Sequence, residues 1–160
     1  MKYHHMCVVV KDMDKALTVY RDFLGLDVVI DSTVPDAPSA EDAKIVSGEL
    51  LDKLFREKGA TSHLVLLSSP EGLLMELQQP SVPNVESTPP EKLTYGFTGI
   101  REIAIAVTDI DTWFRKAREA GLETNTEEVW EFRGVMKSFL FYDHDGNLIQ
   151  LVEELSSLVA

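Results

Sequence analysis

His5, Glu76, Glu102 and Gln150 are the residues of this chain whose types and spacing best suit chemistry. A histidine nitrogen and a carboxylate oxygen are good donors to first-row divalent metals, and a neutral amide oxygen is a weaker one. One His, two Glu and one Gln would together carry two negative charges and neutralise a divalent ion. An octahedral ion held this way keeps two positions open for adjacent oxygens of a substrate. Carboxylates among Leu, Met and Ile are costly to bury unpaired. Glu76 in Leu-Leu-Met-Glu-Leu and Glu102 in Ile-Arg-Glu-Ile-Ala-Ile therefore call for a reason, and a metal supplies one.

The four residues fall at matching places in two halves that echo each other. The first half reads His5-Met6-Cys7-Val8-Val9-Val10-Lys11-Asp12-Met13-Asp14, and the second Glu102-Ile103-Ala104-Ile105-Ala106-Val107-Thr108-Asp109-Ile110-Asp111. Each runs through a helix-like stretch to a glycine, Gly25 or Gly121. Later, Glu71-Gly72-Leu73-Leu74-Met75-Glu76 is matched by Asp145-Gly146-Asn147-Leu148-Ile149-Gln150. A polar residue thus sits four positions after the turn glycine in both halves, the mark of an internal repeat.

The elements that must carry these residues follow from periodicity. Residues 3–10 alternate as a strand, with His5, Cys7 and Val9 on one face. Asp12 and Asp109 are placed to cap helices whose apolar stripes are Met13, Leu17, Tyr20 and Leu24, and Ile110, Trp113, Phe114 and Ala117. Gly25 ends the first helix. Strands are expected at 26–31, 62–68, 73–79, 99–107, 122–132, 135–142 and 147–153, and an amphipathic helix at 47–58. Residues 32–46 read as loop. Residues 80–98, with Pro80, Pro83, Pro89 and Pro90, read as a linker. That divides the chain into a first module 1–79 and a second module 99–160. Short helices alternating with groups of strands indicate an α+β fold.

Composition limits the function. The net charge of −12 argues against nucleic acid and against an anionic membrane as partner. No apolar run approaches the roughly 20 residues of a membrane span, and the N-terminus lacks a signal-peptide pattern. The single cysteine, Cys7, excludes an internal disulfide and suits a reducing cytoplasm. The expected partner is a small-molecule substrate.

Plainer roles stand beside the chemical ones. A Glu in an amphipathic strand commonly faces water, and a strand-end His is commonly a satisfied polar group. Trp130, Phe132, Met136, Phe139 and Phe141 could line a substrate pocket or simply form core. Cys7 suits a small packed residue better than a soft ligand. Arg21, Arg101 and Arg133 are candidates for an anionic group or for ordinary ion pairs.

The stretches His5 to Leu26 and Phe141-Tyr-Asp-His-Asp-Gly-Asn-Leu-Ile-Gln150 resemble the opening and closing signatures of the vicinal oxygen chelate superfamily, the glyoxalase, bleomycin-resistance and extradiol dioxygenase group. The resemblance covers nearly the whole chain. It implies paired βαβββ modules forming a cupped mixed or antiparallel sheet, with His5, Glu76, Glu102 and Gln150 at the metal positions. It implies one divalent ion (Zn, Ni, Co, Mn or Fe) and a homodimer. Family members more often carry His where this chain has Glu102, and Glu where it has Gln150. The two-His, one-Glu set of extradiol dioxygenases is therefore not matched. The expected activity is that of a metal-dependent lyase or isomerase, of glyoxalase or epimerase type, moving a proton next to a carbonyl, with Glu76 or Glu102 as base. The alternative is a metal-free protein that sequesters a drug or natural product.

Overall fold

In a computed structural model, which describes residues 3–156, the chain divides after Ser87 into two compact units. The first contains β1 (Met6–Val9), α1 (Met13–Leu17), β2 (Asp27–Val34), α2 (Gly48–Phe55), β3 (Thr61–Ser68) and β4 (Leu74–Val82). The second contains β5 (Glu102–Ala106), α3 (Ile110–Glu119), β6 (Trp130–Phe132), β7 (Met136–Tyr142) and β8 (Leu148–Glu154). Each sheet has four strands, in the orders β1-β4-β3-β2 and β5-β8-β7-β6. The first strand of each unit lies parallel to its last, and the other neighbours are antiparallel. This is a mixed α+β fold of two units with the same strand order, as the repeat implies. No described helix is long and apolar enough to cross a membrane.

The repeat in sequence is a repeat in structure. Asp12 accepts from the Lys15 amide at the start of α1, and Asp109 from the Thr112 amide at the start of α3. These caps satisfy donors that a helix leaves unpaired. Gly25 and Gly121 take φ of 74° and 73° at the helix ends, where a side chain would be strained. Beyond Leu17 the first helix continues as a π-helical turn, Thr18–Phe23, where regular α-helix was expected.

Strand alternation sorts each sheet into a helix-facing and an open face. In the first unit Val65, Leu67, Met75 and Leu77 are fully buried with Met13, Leu17, Val19 and Tyr20 of the helix. In the second, Phe139, Phe141, Ile149 and Leu151 are fully buried beside Ile110 and Ala117 of α3.

Several boundaries differ from the sequence expectations: β1, β5 and α2 are shorter than expected, and three further differences follow from pairing. β2 runs to Val34, three residues into the expected loop, because Ser32, Thr33 and Val34 find partners in Leu64, His63 and Ser62. β4 reaches Val82, past residue 79, because Thr61 pairs with it. Of residues 122–132 only Trp130–Phe132 form a strand, with one isolated bridge between Thr124 and Phe141. The Glu123 carbonyl and Asn125 amide bond to Tyr142 and Leu140, which holds that stretch against the sheet without a ladder.

Candidate metal centre and cavity

β1 and β4 bring His5 and Glu76 together. The parallel register sets Cys7 opposite Glu76, and alternation places His5 two residues before Cys7, on the same side. His5 Nε2 lies 3.8 Å from Glu76 Oε2. Two donors bound to one ion at roughly 2.1 Å each can stand up to roughly 4.2 Å apart, so this separation fits a shared divalent ion. His4 and His5 meet through their Nδ1 atoms at 2.7 Å, which leaves His5 Nε2 as the atom facing Glu76.

Glu76 is held from its other oxygen. Gln78 Nε2 donates to Glu76 Oε1 at 2.8 Å, and the Ser62 hydroxyl donates to Gln78 Oε1 at 2.5 Å. Both Ser62 and Gln78 are buried. The chain Ser62–Gln78–Glu76 thus spends the polar atoms of the amide and fixes the carboxylate with Oε2 outward. Cys7 stands beside it, and desolvation, with the charge and hydrogen bonding of Glu76, pushes its thiol up to about 12. In the metal-free protein that keeps the Cys7 thiol protonated at physiological pH, although its surface is exposed.

The second unit repeats the register. Ala104 pairs with Gln150, and Glu102 precedes Ala104 by two residues. Gln150 is buried and donates through Nε2 to the Ser138 hydroxyl at 2.9 Å, which leaves its carbonyl oxygen as the metal-capable atom. Ser138 in turn donates to the Leu151 carbonyl at 2.8 Å. Glu102 is exposed and accepts from the Tyr95 hydroxyl, whose pKa is pushed up to about 12 by that hydrogen bond. Tyr95 was not anticipated from sequence. It lies in a turn-rich stretch without periodicity, and only the fold places it on Glu102. Among the described residues no three His, Cys, Asp or Glu side chains gather around one point. The first unit brings its two donors within reach of one ion, and the second places Glu102 and Gln150 at the same register.

A cavity of about 620 Å³ opens on the first sheet. A row across that sheet reads Cys7, Glu76, Leu66 and Ile30, and α2 covers it with Leu51, Leu54 and Phe55. Leu51 packs into a buried cluster with Val34, Ala60 and Leu64, which anchors the helix there. All the lining residues belong to the first unit.

The expected aromatic pocket therefore needs correction. Trp130, Phe132 and Met136 share the sheet face of Gln150, since Trp130 pairs with Ser138, Phe132 with Met136, and Leu140 with Gln150. Phe139 does not. It points to the helix side, is fully buried, and meets the Phe114 ring edge-on at 5.2 Å. Phe141 shares that core. Period-2 alternation alone separates Phe139 from Met136 once the strand register is fixed. The three arginines have local tasks. Arg21 pairs with Asp22 at 2.6 Å, Arg101 holds the Lys92 and Thr98 carbonyls, and Arg133 stacks on Phe132.

The chain belongs to the glyoxalase/bleomycin resistance protein/dioxygenase superfamily, whose profile matches residues 2–151. No curated protein sequence matches it. Among solved structures, a glyoxalase family protein from Bacillus cereus is similar over 98% of this chain and 95% of its own, with TM-score 0.79 and 19% identity. A glyoxalase/dioxygenase from Nostoc punctiforme is similar over 96% and 90%, with TM-score 0.66 and 19% identity. A variant of the fosfomycin resistance protein FosX from Listeria monocytogenes, solved with Mn(II) and dihydroxypropylphosphonic acid, is similar over 98% and 93%, with TM-score 0.60 and 18% identity. At these identities the likeness is one of fold.

Proposed function

We propose that this protein is a metal-dependent lyase or isomerase that moves a proton on the carbon beside a carbonyl, on a substrate that offers adjacent oxygens to a divalent ion. The observation that carries this reading is the shared register of the donor pairs. His5 stands to Glu76 as Glu102 stands to Gln150, because Cys7 faces Glu76 and Ala104 faces Gln150. A repeat that keeps metal-capable side chains at the same two strand positions in each unit suits a role in metal binding for both pairs.

His5 and Glu76 from the first unit and Glu102 and Gln150 from the second are the proposed donors. When bound, the ion supplies Lewis acidity that lowers the cost of negative charge on the substrate oxygens. Glu76 is the proposed base. Gln78 holds its Oε1, so Oε2, once released from the ion, would be the oxygen that takes a proton from the substrate carbon and returns it. Glu102 is the alternative base, steadied by Tyr95. The Mn(II) carried by the FosX neighbour supports a divalent ion of this class.

The test begins with elemental analysis of untagged protein purified without chelator. Near-stoichiometric divalent metal, lost in the Glu76→Ala, Glu102→Ala double variant, is the expected result. Exchange of substrate protons into deuterated water follows, with hydroxyketones, thiohemiacetals and acyl-CoA esters. Glu76→Gln should retain metal and lose exchange. Full exchange in that variant would remove Glu76 as base. Metal-free protein, after soaking with nickel, manganese, cobalt and zinc, would select the second reading, sequestration of a small molecule. The apolar cavity under α2 is the observation that favours that reading.

A further inference from the structure

The two units differ most between their second and third strands. In the second unit β6 and β7 are joined by residues 133–135 alone, through a tight turn in which Arg133 and Gly134 both take positive φ. In the first unit residues 35–60 stand at the same place and carry α2. Asp36 accepts from the amides of Lys44, Ile45 and Val46, Ser47 caps α2 by accepting from the Leu50 amide, and Asp52 accepts from the Ala60 amide, so the inserted segment is tied down along its length. Among the described residues, only the first unit thus has an α-helix over its open sheet face.

We propose that the cavity beneath α2 is a specificity pocket for an uncharged apolar group, an alkyl chain or an aromatic ring, and that it rejects anionic groups. If the function proposed above holds, this group is the side chain of the substrate; the pocket and its selectivity rest on the cavity alone.

Three observations carry the proposal. The first is the lining. Val9, Ile30, Leu51, Leu54, Phe55 and Leu64 supply its walls. Covering apolar surface gains roughly 25 cal/mol per Å², and a volume of about 620 Å³ lies within the range of pockets that take drug-sized ligands. The second is charge. Among the described lining residues Glu76 is the one charged group, and Lys, Arg and His are absent. A carboxylate, sulfonate or phosphate brought against these walls would lose its water and find no cation among them. The third is the polar end. Ser62, Gln78 and Glu76 are already bonded to one another. The polar groups left for a ligand are Glu76 Oε2, an acceptor, and the uncharged amide of Asn84. A ligand therefore meets the pocket with a C–H, N–H or O–H at Glu76 and with apolar atoms elsewhere.

Two fluorescent probes test this directly, because they share one ring system and differ by a single sulfonate: N-phenylnaphthylamine and anilinonaphthalene sulfonate. The uncharged probe should bind, and the sulfonate should bind more weakly by about tenfold or more. Val9→Trp, at an exposed position on the pocket wall, should weaken the uncharged probe by about tenfold through lost space. Leu54→Arg, at the exposed rim, should narrow or reverse the preference by offering a cation to the sulfonate. Equal affinity for the two probes would overturn the proposal. So would uncharged-probe binding indifferent to Val9→Trp in a variant whose melting temperature is unchanged. The assay needs neither metal nor turnover. Selective probe binding in a metal-free protein would sink the enzymatic reading and leave the pocket standing. Metal and proton exchange without probe selectivity would do the reverse.

Discussion

Gln79 and Glu153 perform the same task in the two halves of the chain. Each lies three residues beyond a candidate donor, Glu76 or Gln150, and each reaches from the last strand to the start of its unit's helix. Gln79 Oε1 accepts from the Met13 amide at 2.7 Å, and Glu153 accepts from the amides of Asp109 and Ile110 at 3.0 and 3.3 Å. The strand that carries the donor is thereby locked to the helix behind the sheet.

Replacing either residue by Ala should cost about 1 kcal/mol, the usual worth of a helix N-terminal cap. Glu153→Ala should cost more than Gln79→Ala, since it removes two amide bonds and a negative charge from the positive end of α3. Urea unfolding midpoints check this. Equal stability of both variants with the parent would show that water replaces the caps without loss.

Gln78→Ala removes the amide that joins Ser62 to Glu76 and leaves the fully buried Ser62 hydroxyl without that acceptor. The hydroxyl turns to the His63 carbonyl at 3.2 Å, so the loss is that of one buried hydrogen bond, about 1 kcal/mol. Adding Ser62→Ala to Gln78→Ala should cost less than Ser62→Ala alone, and a double-mutant cycle on unfolding free energies measures the coupling. Additive losses would mean that the chain of bonds is not cooperative.

Cys7 should resist alkylation. Its thiol, pushed up to about 12 by desolvation and by Glu76, carries far less thiolate at pH 8 than an ordinary cysteine. Iodoacetamide should label it slowly in folded protein and at the ordinary rate in urea. Glu76→Gln should speed labelling of the folded form. The sign for stability follows from the raised value. The neutral thiol is favoured in the folded state, so its contribution is fully present below about pH 9 and is lost as pH rises towards about 12. A Cys7→Ser comparison between pH 8 and 11 isolates that loss.

Phe139→Ala should destabilise the second unit by about 3–5 kcal/mol, because it empties a fully buried site against Phe114. Phe132→Ala, at a position 46% exposed, should change stability by less than about 1 kcal/mol. Thermal melts of the two variants separate core from surface. A mild Phe139→Ala would return that residue to the list of pocket candidates.

Much of this architecture was legible in one sequence because it is local or repeated. Asp12 and Asp109 cap helices from their own chain neighbourhood, and Gly25 and Gly121 end them through backbone freedom no other residue offers at so little cost. The α+β class and the equivalence of His5 with Glu102, and of Glu76 with Gln150, follow from a pattern written twice. What the sequence left open depends on partners distant along the chain. Whether Phe139 faces the pocket or the core turns on a register set by β8, and a shift of one residue would exchange the two faces. That Ser62 reaches Gln78, that Tyr95 reaches Glu102, and that α2 encloses a cavity beside Glu76 were decided by tertiary packing. Side-chain identity and periodicity specify which face a residue can occupy; only the assembled sheet specifies what stands opposite it.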